Sequence, residues 1–247
     1  MIWASISFSA TAAWFRDSTH WHGTNGVPHR LVEHIWLCGL SLAVAVAIAL
    51  PVGIVLGHIR RGGTLAQNVA NVGRAVPSLA ILIIAVPIVG IGSHPAEIAL
   101  VALALPPLLT NTYVGMVGVD EDVRDAARGV GMTAWQTASR VELPMALPLI
   151  LAGVRTAAFQ VVATATLAAV VASGGLGRYI VDGLAVRDDT QVVCGSLLVL
   201  GLALMVELSI AGLQRWLVPA PLRAPNRPNT DEQLEESLDA IQLDPAA

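Results

Sequence analysis

Few of the residue types that carry bond chemistry are in place here. All fourteen basic residues are arginine, so neither a phosphate-binding loop of the GxxxxGK[ST] type nor a lysine Schiff base can be built from the chain. It is not itself a P-loop ATPase. Cys38 and Cys194 each sit alone inside an apolar run and read as small fillers, not as a disulfide or zinc pair. Four histidines, His20, His22, His29 and His34, fall in one stretch that Gly23, Gly26 and Pro28 mark as a loop. Imidazole is a common metal ligand, but their spacing fits no zinc pattern and no metal site is expected.

What remains is a set of polar residues inside long apolar stretches: Asn111, Thr112, Tyr113, Gln160, Thr164 and Thr166. Groups of this kind are costly against lipid and are candidates to line a translocation pathway. The alternative is that the threonines bond their own helix carbonyls while Asn111 and Gln160 tie helices together. Gln160 and Thr164, four apart, share a helix face. Arg155 and Glu207 are both ionisable, near the inner ends of their stretches, and form a candidate ion pair; snorkelling to the interface is the alternative for either alone. No nucleophile, base and metal ligand cluster together at such depth, which argues against a membrane-integral enzyme.

The elements that hold these residues are too apolar for a soluble domain. Of 247 residues, 55% are hydrophobic and 13% charged, against roughly 25% charged in soluble domains. The fold class is all-α integral membrane. Uncharged stretches predict five spans, at about 35–57, 75–93, 98–119, 147–173 and 192–213. From Pro144 to Gly177 a helix would run about 50 Å, longer than a hydrocarbon core of roughly 30 Å, so its first turns should project into water. Gly53 and Gly57 form a GxxxG that favours close helix packing. Gly174 to Gly177 reads as a helix break, either a hinge or a turn.

Residues 1–30 are expected to be an extracytoplasmic, interfacial segment, with Trp3, Phe8, Trp14, Phe15 and Trp21 suited to the headgroup level. Residues 31–218 form the membrane domain. Residues 219–247 form an acidic cytoplasmic tail, helical or disordered. Ten arginines fall on the side of the 120–144 loop and four on the other. That bias places the loop and the C-terminus in the cytoplasm and the N-terminus outside. Nothing in the charge pattern supports nucleic-acid binding.

The 120–144 loop is a charged island with its own local logic. Asp120, Glu121 and Asp122 place carboxylates at the start of a short helix, which Gly129 and Gly131 can stop. Thr133 followed by Gln136 is a capping-box pattern for a second helix that runs to Glu142 before Pro144 opens the next. Ala126 and Ala127 carry so little side chain that a partner surface could approach the backbone, with Arg124, Asp125 and Arg128 as polar rim.

The spacing of this island, Asp125-Ala126-Ala127, three residues, Gly131, nine residues, then Val141-Glu142-Leu143-Pro144, resembles the EAA loop of ABC-importer permeases, E-A-A-x3-G-x9-I-x-L-P. Asp125 stands for glutamate and Val141 for isoleucine. The stretches Ala75–Gly92, Leu105–Met116 and Arg155–Gly177 are similar to permeases of the glycine betaine, choline and proline osmoprotectant importers. The resemblance implies a five-helix type I ABC-importer transmembrane domain in the bacterial cytoplasmic membrane, with residues 120–144 as a cytoplasmic coupling loop. Asp125, Ala126, Ala127, Gly131, Val141, Leu143 and Pro144 would be its coupling residues. It implies transport by alternating access, and as partners an ABC ATPase subunit that binds ATP and Mg, a second permease subunit and an extracytoplasmic substrate-binding protein. No cofactor is expected on this chain. A permease for methionine or another small organic solute is the nearest alternative. An ion-coupled secondary transporter would want intramembrane carboxylates, for which only Glu207 qualifies.

Overall fold

Apolar stretches this long leave the backbone no hydrogen-bond partner but itself, and every element among the described residues is helical. The computed structural model describes residues 8–171 and 173–217, the side chain of Arg74 excepted. The expected tail at 219–247 and the start of the N-terminal segment, Trp3 included, lie outside the described residues. The helices are α1 (Phe8–Arg16), α2 (Val27–His58), α3 (Gly63–Ala75), α4 (Ser78–Val89), α5 (Ser93–Val117), α6 (Glu121–Gly129), α7 (Ala134–Thr137), α8 (Leu143–Thr164), α9 (Gly177–Val186) and α10 (Asp189–Leu217).

Four elements are long and apolar enough to cross a membrane: α2, α5, the continuous run Ala134–Val171 that contains α8, and α10. The stretch expected as a span at 75–93 holds α4, which forms a bent pair with α3 and would make a fifth span if the pair is counted as one. Pro77 holds Val76 extended and ends α3, and Gly90 at φ 85 ends α4 after 12 residues. Residues Gly63–Gly73 and α4 meet at 86°. A second difference lies at α2, which starts at Val27. Pro28 sits in its first turn, where a missing N–H costs nothing, so the expected histidine loop is partly helix. His34 lies there fully buried, with Nε2 3.1 Å from the Val162 carbonyl oxygen, in the position of a core histidine.

Glycine lets three long helices touch. A Cβ on Gly53 would stand 2.7 Å from Cβ of Thr112, and one on Gly57 would collide with Met116, so the α2–α5 approach depends on this pair. On the other side of α5, a Cβ on Gly153 of α8 would lie 2.7 Å from Cβ of Asn111. α5 is held between α2 and α8, and Ala104, Leu108 and Met116 along it have no exposed surface.

At the end of the bundle away from α6, the 3-10 stretch Ala165–Val171 leads into a turn pinned from α2. Glu33 Oε2 accepts the Gly175 N–H at 2.8 Å, and a Cβ on Gly174 would overlap that carboxylate. Gly175 sits at φ 91, so Gly174 to Gly177 is a turn. α1 lies against α10, and its Trp14 stacks on His20 at 4.0 Å and meets the Tyr179 ring edge-on at 5.5 Å. The Tyr179 hydroxyl donates to the Asn25 carbonyl at 2.6 Å; burial of the ring pushes this phenol above its usual range.

The α2–α5 contact is testable by overpacking. Gly57→Leu should cost roughly 1–3 kcal/mol and lower the thermal aggregation midpoint of the detergent-solubilised protein. Gly201→Leu, where no atom lies within 4 Å of an added Cβ, should leave the midpoint unchanged. Equal midpoints would remove the contact from the list of stabilising features.

Candidate functional site

The loop between α5 and α8 is built from caps. Asp120 accepts the Asp122 N–H at 2.9 Å and starts α6, whose first turn carries Glu121 and Asp122. α6 ends as Gly131 takes φ 83 and the Met132 N–H returns to the Ala127 carbonyl at 3.1 Å. Thr133 and Gln136 then close a reciprocal capping box, at 3.3 Å and 2.8 Å, that starts α7.

Beyond α7 the chain does not stop at Pro144 and restart. It passes through one π turn, Ala138–Glu142, in which the Leu143 N–H bonds the Ala138 carbonyl five residues back, and runs on as α8. A proline at 144 would strand the Arg140 carbonyl and press on it in a regular α-helix; the wider turn absorbs that conflict.

Two placements correct the reading from sequence. Arg124 is not a rim residue: it is 1% exposed and reaches inward. Ala127 is buried against the chain itself, while Ala126 faces out beside the exposed pair Asp125 and Arg128, which are 2.8 Å apart. The outward face also carries Val130 and Trp135, each 77% exposed. Of the remaining residues of the spaced pattern, Val141 and Leu143 are half-buried and Pro144 is exposed.

Arg124 belongs to a buried cluster that sequence reasoning missed. Its Nη2 donates to the His58 carbonyl at the end of α2 at 2.7 Å and lies 2.8 Å from Glu142 Oε1, as an ion pair off the line of a hydrogen bond. Glu142, with no exposed surface, meets His58 Nδ1 through Oε2 at 2.7 Å. Arg60, just past α2, adds contacts to the Val119 carbonyl at 3.0 Å and to Glu121 at 2.7 Å. The loop is thus clamped to the ends of α2, α5 and α8. The only signal in the sequence is a glutamate at the unassigned position of the Val141-to-Pro144 segment.

Polar residues at depth divide into two groups. Asn111 and Gln160 line one cavity of about 220 Å³, together with Thr110, Thr156, Pro106, Pro107 and Ala70. Thr112, Tyr113, Thr164 and Thr166 do not line it. Thr112 is fully buried against Gly53 and donates to its own helix at the Leu108 carbonyl, 2.7 Å away. The Tyr113 hydroxyl packs at Gly63, and Thr166 donates to the Ala163 carbonyl at 3.0 Å beside Gly177. Thr164 is near the end of α8, in a small apolar gap against α4 and α5. Gln160 and Thr164 therefore do not act on one cavity.

Arg155 and Glu207 do meet: Nε donates to Oε1 at 2.6 Å. α10 continues to Leu217, which leaves Glu207 about 15 Å short of its end. The pair borders a cavity of about 590 Å³ shared with Ala152, Thr156, Phe159 and Gln160.

Spanning helices flank open, polar-lined pockets and leave a capped loop exposed at one end, an arrangement suited to the membrane subunit of a transporter. Residues 49–222 match the family described as binding-protein-dependent transport system inner membrane component, and the chain belongs to that family. It is therefore a multi-pass inner-membrane protein and a transport permease subunit.

It is 33% identical over 202 residues to the glycine betaine/carnitine/choline transport system permease protein OpuCB of Bacillus subtilis (strain 168), covering 81% of this chain and 93% of that protein. Identity to the choline transport system permease protein OpuBB of the same strain is 35% over 202 residues, with the same coverage of 81% and 93%. Against the carnitine transport permease protein OpuCB of Listeria monocytogenes it is 38% over 191 residues, covering 77% and 88%. An inward-facing structure of the MetNI methionine ABC transporter shares the fold, with a TM-score of 0.68 at 21% identity over 78% of this chain and 96% of that one.

The buried cluster makes a two-step prediction. Glu142→Leu should destabilise the solubilised protein by about 3–5 kcal/mol, because it leaves Arg124 buried without an anion. Adding Arg124→Met should recover most of that loss, as apolar replacements of buried pairs often do. Thermal unfolding of both variants checks this, and a single variant as stable as wild type would remove the cluster's role.

Proposed function

We propose that this chain is the permease subunit of an ATP-driven importer for a compatible solute of the glycine betaine, carnitine or choline kind, delivered by a separate substrate-binding protein. The observation that carries the reading is the 33–38% identity to permeases named for those solutes, extending over about four fifths of the chain and far beyond the loop. Transport proceeds by alternating access within a pair of permease subunits.

An ATPase, holding ATP and Mg, docks on the outward face of α6 and α7, where Ala126, Val130 and Trp135 are exposed. The cluster of Arg124, Glu142 and His58 passes its movement to α2 and α8. That loop and the C-terminus lie in the cytoplasm, with the N-terminus outside. The polar cavities beside α5 and α8 supply a weakly binding path; high affinity belongs to the binding protein.

In proteoliposomes with its ATPase and binding protein, the permease should accumulate radiolabelled glycine betaine only when ATP reaches the ATPase. Uptake of methionine in place of quaternary ammonium solutes would favour the other solute class, and ATP-independent uptake driven by an ion gradient would overturn the proposal. For the docking face, Ala126→Trp should cut co-purification with the ATPase at least several-fold; full recovery of the complex would remove that role. Single cysteines at Thr133 and Asp188 should label from opposite sides of the membrane.

A further inference from the structure

The Arg155–Glu207 pair plays no part in clamping the loop, yet two spanning helices hold it well inside their length. Charge carried between spanning helices is tolerated only where it faces protein or a watered passage, which makes the pair a functional candidate. Its surroundings narrow the chemistry. Phe159 lies one turn beyond Arg155 on α8, 43% exposed, and both border the larger cavity with Glu207. Thr156 and Gln160, on the same stripe of α8, border both cavities, and the Gln160 amide oxygen has no hydrogen-bond partner among the described residues. One wall thus offers a guanidinium, a carboxylate and an aromatic face.

We infer that Arg155, Glu207 and Phe159 form a low-affinity transit site for a zwitterion that carries both a quaternary ammonium and a carboxylate. The inference rests on the proposed compatible-solute reading and adds to it the residues that choose among such solutes. The solute's carboxylate takes the Arg155 guanidinium, a planar donor suited to a carboxylate. Its ammonium, which has no N–H to donate, settles between the Glu207 carboxylate and the Phe159 face. The pair opens, but each charge exchanges one opposite charge for another, so no ion is left unpaired. A cation without a carboxylate, such as choline, satisfies Glu207 and Phe159 but leaves Arg155 without its anion. A single ring in place of an aromatic cage keeps binding weak, as passage requires.

The test uses the complete transporter in proteoliposomes and compares initial uptake of glycine betaine and choline. Arg155→Gln should lower glycine betaine uptake at least tenfold and choline uptake less than twofold. An equal fall of both, or no change in either, overturns the inference; an equal fall with loss of permease cross-linking would assign the pair to contact between two copies. Phe159→Leu leaves the ion pair intact and serves if Arg155→Gln fails to insert. At saturating binding protein it should lower the maximal uptake rate of both solutes several-fold, and an unaltered rate overturns the inference. A wild-type transporter that carries no quaternary ammonium solute would refute the proposed function itself, and this site with it. A wild type that carries glycine betaine beside a variant with no change in selectivity refutes the site alone.

Discussion

Glu142 is a carboxylate without exposed surface, met from one side by the Arg124 guanidinium of α6 and from the other by the His58 imidazole at the end of α2. Withdrawing such an ion from water costs several kcal/mol after relaxation, roughly, and only converging partners offset it. The result is positional. In this arrangement of α6, the end of α2 and the entry to α8 the carboxylate meets both partners, and parting the elements would bury a charge alone. α6 therefore cannot drift over the bundle surface as a tethered helix would. It moves together with the ends of two long helices.

The packing of those helices also shapes the polar cavities. Gly153 lets α8 approach α5 at Asn111, and the residues that follow on the same face of α8, Thr156 and Gln160, are brought beside Asn111 and Thr110. The cavity is a by-product of a close contact one turn away: where the backbones touch there is no room for side chains, and where they part the polar ones face a gap. Site and scaffold share one glycine.

Much of the loop is legible in the sequence because its signals are local. Asp120, Thr133 and Gln136 act on N–H groups within three residues, and Gly131 serves its own backbone angle. What fails to show is orientation. Of two adjacent alanines, which one faces out depends on how α6 is rotated against the bundle, and that is set by Arg124, whose partners sit on α2 and beyond α7. Thr112 reads the same whether it meets water, lipid or Gly53. The bend between α3 and α4 is hidden for a related reason: hydropathy counts charges along the chain and is blind to direction, and prolines such as Pro77 are common in straight spans too. The Arg155–Glu207 pair is legible as two ionisable residues in apolar runs, though their contact depends on how α8 and α10 pack.

The π turn at Ala138–Glu142 holds one residue more than the helix around it requires. An extra residue shifts the phase of everything before it by about 100° relative to everything after. The exposed face of α7 and the face of α8 that meets the bundle are consequently not one continuous stripe, although they belong to one rod. Each can change its residues to suit its own neighbour without rewriting the other's pattern. The wide turn works as a phase joint, insulating the exposed surface of the loop from the surface that packs into the bundle.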